Sequence, residues 1–171
     1  MVDTCYILKA MVEIVQRVSS SFRGHNLKIV YQVKNESKNM EQDIRIIAVN
    51  QQANHLEEAR QSMEQLLDAL EYKIANGILF SDKALQEMTF LFEGLSCHLV
   101  NTKDWLITGN KLLQEQVKKD SHTYAIHCQD FATMHEERLI AGVCMAQSSG
   151  IYLNMLDGMR GLFYNTGLLV G

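Results

Sequence analysis

The sequence predicts an all-α fold: an elongated, mainly antiparallel helical bundle of four to six helices, spanning residues 1–171 as one domain. Three observations predict it. The 171 residues contain no proline, where ordinary usage of about 5% would place roughly eight. That excludes a proline-punctuated β-sandwich, a polyproline linker and most loop-rich folds. Apolar residues recur at steps of three and four along most of the chain, the spacing of one helix face. Finally, neither glycine nor proline occurs between Leu27 and Ala75. A chain of this length buries more than about two-thirds of its unfolded surface, so it needs no disulfide or metal in order to fold.

The elements follow in order. Ile7, Met11, Ile14, Val15 and Val18 place one helix over Asp3 to about Phe22. Asp3 or Thr4 caps its first amides, and Gly24 supplies a stop. The run 27–75 is one long helix or a helical hairpin. As a single helix it would be roughly 70 Å long at about 1.5 Å per residue. Its stripe runs through Ile46, Val49, Ala53, Leu56, Met63, Leu66, Leu70 and Ile74, a coiled-coil-like pattern. The polar stretch Lys34–Glu41 is either a loop that splits it or a solvated part of one helix. Asn76-Gly77 breaks the run. Ser81 caps a helix from Asp82 whose apolar face is Leu85, Met88, Phe92, Leu95 and Leu99. Asn101–Asp104 is a candidate interruption and Gly109-Asn110 a candidate bend. Asp120-Ser121 is a candidate cap for a further helix carrying Tyr124, Cys128, Phe131, His135, Leu139 and Gly142.

Composition bounds the function. Apolar content is 47%, and the formal charge is −4. With no dense Lys/Arg block, nucleic acid is not an expected partner. The opening residues MVDTCYILKAMVEIV place an acid at position 3 and lack a small-residue cleavage motif, so no cleavable signal peptide is expected there. The expected location is cytoplasmic. Cys5, Cys97, Cys128 and Cys144 form no CxxC pair, and reduced thiols are the default, although the even count permits two disulfides.

Motifs for chemistry are sparse. There is no GxSxG, GxGxxG, P-loop, HExxH or repeated ExxH. Enzymatic activity is therefore not expected, and no cofactor is predicted. The candidate metal ligands are Cys128 and His135, seven residues apart and on one helix face. Thiolate with imidazole suits zinc, and a bundle histidine suits haem. A ligand-, metal- or haem-sensing bundle is thus the alternative reading.

The C-terminal third stands apart. Residues 139–171 hold one acid, Asp157, one base, Arg160, and six of the ten glycines. The stretch 139–156 carries no charge, which touches the lower limit of membrane-spanning length. Gln147, Ser148, Ser149, Gly150 and Asn154 dilute it. A membrane-associating protein is the third reading. Ala141, Gly142, Ala146, Ser149 and Gly150 are small enough to let another helix approach closely.

The segment Ile44-Arg45-Ile46-Ile47-Ala48-Val49-Asn50 resembles the I-x-x-I-A-x-N entry to the signalling tip of bacterial chemoreceptors. The likeness covers seven residues. In that family a small-residue and glutamate–arginine motif follows. Here Gln51-Gln52-Ala53-Asn54-His55 follows, and Glu57-Glu58-Ala59-Arg60 is out of register. The resemblance implies a signalling context rather than membership.

These features together predict a non-enzymatic helical interaction or signalling module. It associates with a protein partner or a second copy through an apolar face of Leu139, Val143, Ile151, Leu153, Leu156 and Leu162. Each such side chain, once covered, contributes about 1.5–3 kcal/mol.

Overall fold

The computed structural model describes residues 3–47, 51–142 and 146–171. Among the described residues six helices form the bundle: α1 (Thr4–Gly24), α2 (Leu27–Ile46), α3 (Gln51–Ala75), α4 (Asp82–Thr108), α5 (Lys111–Ile140) and α6 (Ala146–Gly167). A 3-10 turn at Leu168–Val170 closes the chain. The expected all-α bundle is observed. The described residues contain no strand.

Caps set several of the boundaries. The Asp3 carboxylate accepts from the Tyr6 amide at 2.8 Å, satisfying an exposed first-turn donor. Asn26, Ser81 and Asn110 do the same for α2, α4 and α5. Gly24, expected from the sequence to stop α1, does not do so. It stays helical, and His25 takes the left-handed conformation at φ 52°. Histidine is one of the few side chains that tolerate this region. Here its Nε2 also lies 3.3 Å from the Lys73 ammonium, which helps to hold the imidazole in place.

The run 27–75 is a pair of helices, α2 and α3. The polar stretch Lys34–Glu41 is not the break. It lies inside α2 and buries Ser37 and Met40, one turn apart. The helix ends at Ile46, Ile47 turns extended at ψ 136°, and α3 begins at Gln51. Ala48, Val49 and Asn50, the last part of the chemoreceptor-like heptapeptide, lie outside the described residues. Asn101–Asp104 does not interrupt α4, and Asp120-Ser121 caps nothing, because α5 already runs from Lys111. The break between α4 and α5 is Gly109, whose φ of 63° favours glycine. Asn76-Gly77 ends α3 as expected. Behind it, Ile78 and Phe80 are buried and staple the connection to the core.

The core is continuous through all six helices. Leu56, Met63, Leu66 and Leu70 of α3, Leu91, Leu95 and Leu99 of α4, and Tyr152, Met155, Met159 and Phe163 of α6 are fully buried. The last helix is the most enclosed. It packs against α3, α5 and α4. Ion pairs tie neighbouring helices at the surface: Arg17–Glu36 at 2.7 Å, Arg23–Glu93 at 2.9 Å and Lys34–Asp68 at 2.6 Å. Exposed pairs of this kind contribute little, about 0–1 kcal/mol each. Buried apolar area carries the fold.

Because Met40 is sealed within an otherwise polar stretch, Met40→Ala is expected to cost about 2–5 kcal/mol in urea unfolding. Lys38→Ala, two residues away on the exposed side, is expected to stay within about 0.5 kcal/mol. Equal, small effects would place the stretch outside the packed bundle.

Candidate functional site

The residues expected to form an apolar docking face are mostly consumed by the bundle itself. Ile151, Leu156 and Leu162 are buried and belong to the core, and Leu139 and Leu153 are half-buried. Val143 lies outside the described residues. The expectation of an external face through Ile151, Leu156 and Leu162 is therefore corrected. Within this charge-poor segment, Ser148, Ser149, Ile151, Tyr152, Met155 and Leu156 are enclosed by the bundle.

Cys128 and His135 do lie on the buried side of α5. Seven residues of helix, however, separate them by about 10.5 Å along the axis. Zinc bonds of about 2.0–2.3 Å cannot span that distance. His135 Nε2 shares a hydrogen bond with Ser149 Oγ at 2.9 Å. Burial pushes the Cys128 thiol up to about 12, which disfavours the thiolate a metal needs. No group of three His, Cys, Asp or Glu side chains converges among the described residues. The pair does not fit a shared metal.

What the sequence did not reveal is a set of polar anchors around α6. Glu87 of α4 is 2% exposed. It accepts from Arg138 of α5 at 3.1 and 2.9 Å, and from the Tyr152 hydroxyl of α6. Burial, then the Glu87 hydrogen bond, raises the Tyr152 phenol well above its ordinary value, so it remains the donor. Burial also lowers His135 from its ordinary pKa, reinforced by the Arg138 charge. Further along α6, the Thr166 hydroxyl donates to the Leu162 carbonyl at 2.6 Å. Its oxygen is then free to accept from His98 Nε2 at 3.0 Å. That places an imidazole proton on Nε2. Gln114 of α5 donates to the Val170 carbonyl at 2.6 Å.

Glycines set how deeply α6 sits. A Cβ at Gly158 would stand 2.9 Å from both the Leu66 amide nitrogen and the Ser62 carbonyl oxygen of α3. At Gly161 it would stand 2.3 Å from Ser62 Oγ, and at Gly167 2.4 Å from Ser121 Oγ of α5. The small residues responsible for close approach are thus Gly158, Gly161 and Gly167. Gly150, expected from the sequence to serve this purpose, faces open space.

The candidate site is the outward side of this recessed helix. Gln147, Gly150, Asn154, Asp157, Gly161 and Tyr164 follow one another at steps of three and four, a single stripe. The ridges of α3 and α5 rise beside it. One depression, about 780 Å³, lies between α3 and the first half of α6 and includes Glu64, Asp68, Tyr72 and Gly150. A second, about 700 Å³, lies between α3, α5 and the second half and includes His122, Ile126, Arg160 and Tyr164. Gln65 lines both, so the two lie side by side along α6. Tyr72 and Tyr164 are each 57% exposed at the rim.

No helix of the described residues is long and apolar enough to cross a membrane. Comparison with protein families, curated proteins and solved structures finds no significant match.

The His98 geometry has a pH consequence. Burial lowers its pKa from 6.5 to about 4, with a Phe163 backbone hydrogen bond partly opposing. Below 6.5 the unfolded chain takes up a proton that the folded chain resists. Stability is therefore expected to fall as pH drops from about 6.5 towards 4, by roughly 3 kcal/mol from this group. In denaturant titrations across that range, the difference between wild type and His98→Gln should shrink on acidification. A constant difference would remove His98 as the cause.

Proposed function

We propose that the chain is a non-enzymatic helical interaction module that receives its partner along the outward side of α6. The observation that supports this reading is the pair of adjacent depressions, about 780 and 700 Å³, that follow one another along one helix. Ala146 to Tyr164, the ends of the lined stretch, span roughly 27 Å at about 1.5 Å per residue. Its floor includes Gly150, which faces open space, and Ala69, and both let a partner backbone come close. Its rim carries the exposed rings of Tyr72 and Tyr164 together with Ile126. Aromatic anchors beside small residues are what a helix-in-groove interface requires.

The non-enzymatic part of the reading rests on how the buried polar groups are employed. Glu87 is committed to Arg138 and Tyr152, and His135 to Ser149. Each such contact ties two helices together. We place the module in the cytoplasm, in keeping with its acidic balance and with the cysteines Cys5, Cys97 and Cys128, which are free thiols.

Site-specific photo-crosslinking in the native host tests the proposal. A photoreactive residue at Asn154 or Gln147 is expected to give a discrete adduct that the same residue at Glu13, exposed on α1, does not give. Adducts of equal yield at all three positions, or none at Asn154 and Gln147, would contradict a docking site on α6.

A further inference from the structure

The two adjacent depressions along α6, taken as one groove, have a sign of charge, and that sign identifies the kind of partner they fit. Its lining contributes three acids, Glu64, Asp68 and Asp157, and one base, Arg160. Asp157 and Arg160 pair with each other at 3.0 Å, which leaves the α3 wall as the uncompensated side.

Neither Glu64 nor Asp68 is neutralised by its cation. Arg60, buried behind the wall, lies 2.6 Å from Glu64 but is shared with Glu57, also at 2.6 Å. Lys34 lies 2.6 Å from Asp68 but also pairs with Glu71. Each cation therefore serves two carboxylates, and each triad keeps one surplus negative charge. Glu64 and Asp68, the members of the two triads that line the groove, lie one helical turn apart along α3. Tyr72 follows Asp68 at the next turn of the same ridge. Its exposed face suits a guanidinium stacked over the ring.

We propose that the groove takes an amphipathic helix from another protein, about 18 residues long, with Arg or Lys along the edge that meets α3. This deepens the docking reading given above and rests on it. The length is that of the lined stretch of α6. The cations answer Glu64 and Asp68, and small or apolar side chains lie over Gly150. An anionic membrane surface or a nucleic acid would meet the wrong sign of charge at this wall. Exposed charge of this kind acts through steering and specificity and is weakened by salt.

The test uses the full chain, labelled with nitrogen-15, and three 18-residue helical peptides that share one apolar face. Their edges carry Arg, Gln or Glu. The Arg peptide is expected to shift the amides of Gly150, Asn154 and Gly161 and those of α3 around Asp68, and to bind at least tenfold more tightly than the Glu peptide at low salt. Glu64→Gln combined with Asp68→Asn should bring the Arg peptide close to the Gln peptide. Gly150→Leu, which points into open space and leaves the fold intact, should abolish binding of both. If the Gln or Glu peptide shifts the same amides as strongly as the Arg peptide, the charge inference is overturned and the groove reading stands. If none of the peptides shifts these amides, or Gly150→Leu changes nothing, both are overturned.

Discussion

The bundle depends on how closely α6 approaches α3. At Gly158 the contact is backbone against backbone. A Cβ there would press on the Leu66 amide and the Ser62 carbonyl at 2.9 Å, and neither can rotate away as a long side chain can. Only separation of the two helices would relieve it. Gly161 and Gly167 extend the same constraint to Ser62 and to Ser121 on α5. Glycine in mid-helix costs about 0.5–1 kcal/mol relative to alanine. Here that cost is offset by dense packing of Met155, Met159, Leu162 and Phe163, all buried with α6.

Once α6 is seated this deeply, its polar side chains come within reach of partners that no local pattern announces. Tyr152 meets Glu87, Thr166 meets His98, and Ser149 meets His135. Such contacts add little net stability, because desolvation consumes most of their attraction. We read them as setting the register of α6 between α4 and α5. Breaking the Glu87–Arg138 pair would strand a buried carboxylate, which is the costly direction. The outward stripe of α6 borders the depressions that α3 and α5 help to line. The groove is thus a product of the packing constraint.

The fold class was legible because it rests on period and punctuation. With no proline and apolar steps of three and four, the helices around Ile7–Val18, Leu56–Leu70 and Leu85–Leu99 were readable from their own residues. The interruptions were harder. Lys34–Glu41 looks like a loop because its one buried apolar residue, Met40, is flanked by polar ones, yet one turn of burial at Ser37 and Met40 sustains the helix. Asp120-Ser121 has the chemistry of a cap, but Ser121 is spent on the Phe163 carbonyl at 2.9 Å. The candidate site was the least legible part. An apolar, charge-poor segment reads equally as a buried helix or as a docking face, and only its neighbours decide. Glu87, Arg60 and Lys73 look solvated in the sequence. In the bundle they are 2%, 5% and 1% exposed. Lys73 is held between the rings of Phe22, from a distant part of the chain, and Phe80, from beyond the end of its own helix, 5.4 and 5.0 Å from their centroids.

The most direct measurement compares two glycines of α6 by equilibrium unfolding. At Gly150, which faces open space, alanine removes the glycine penalty and should stabilise the protein by about 0.5–1 kcal/mol. At Gly158 the same substitution gains the same propensity but forces α6 from α3. There the account predicts a net loss of about 1–3 kcal/mol, the usual cost of overpacking. Opposite signs at two positions on one helix would establish that the close approach holds the bundle together. A Gly158→Ala variant as stable as Gly150→Ala would contradict it.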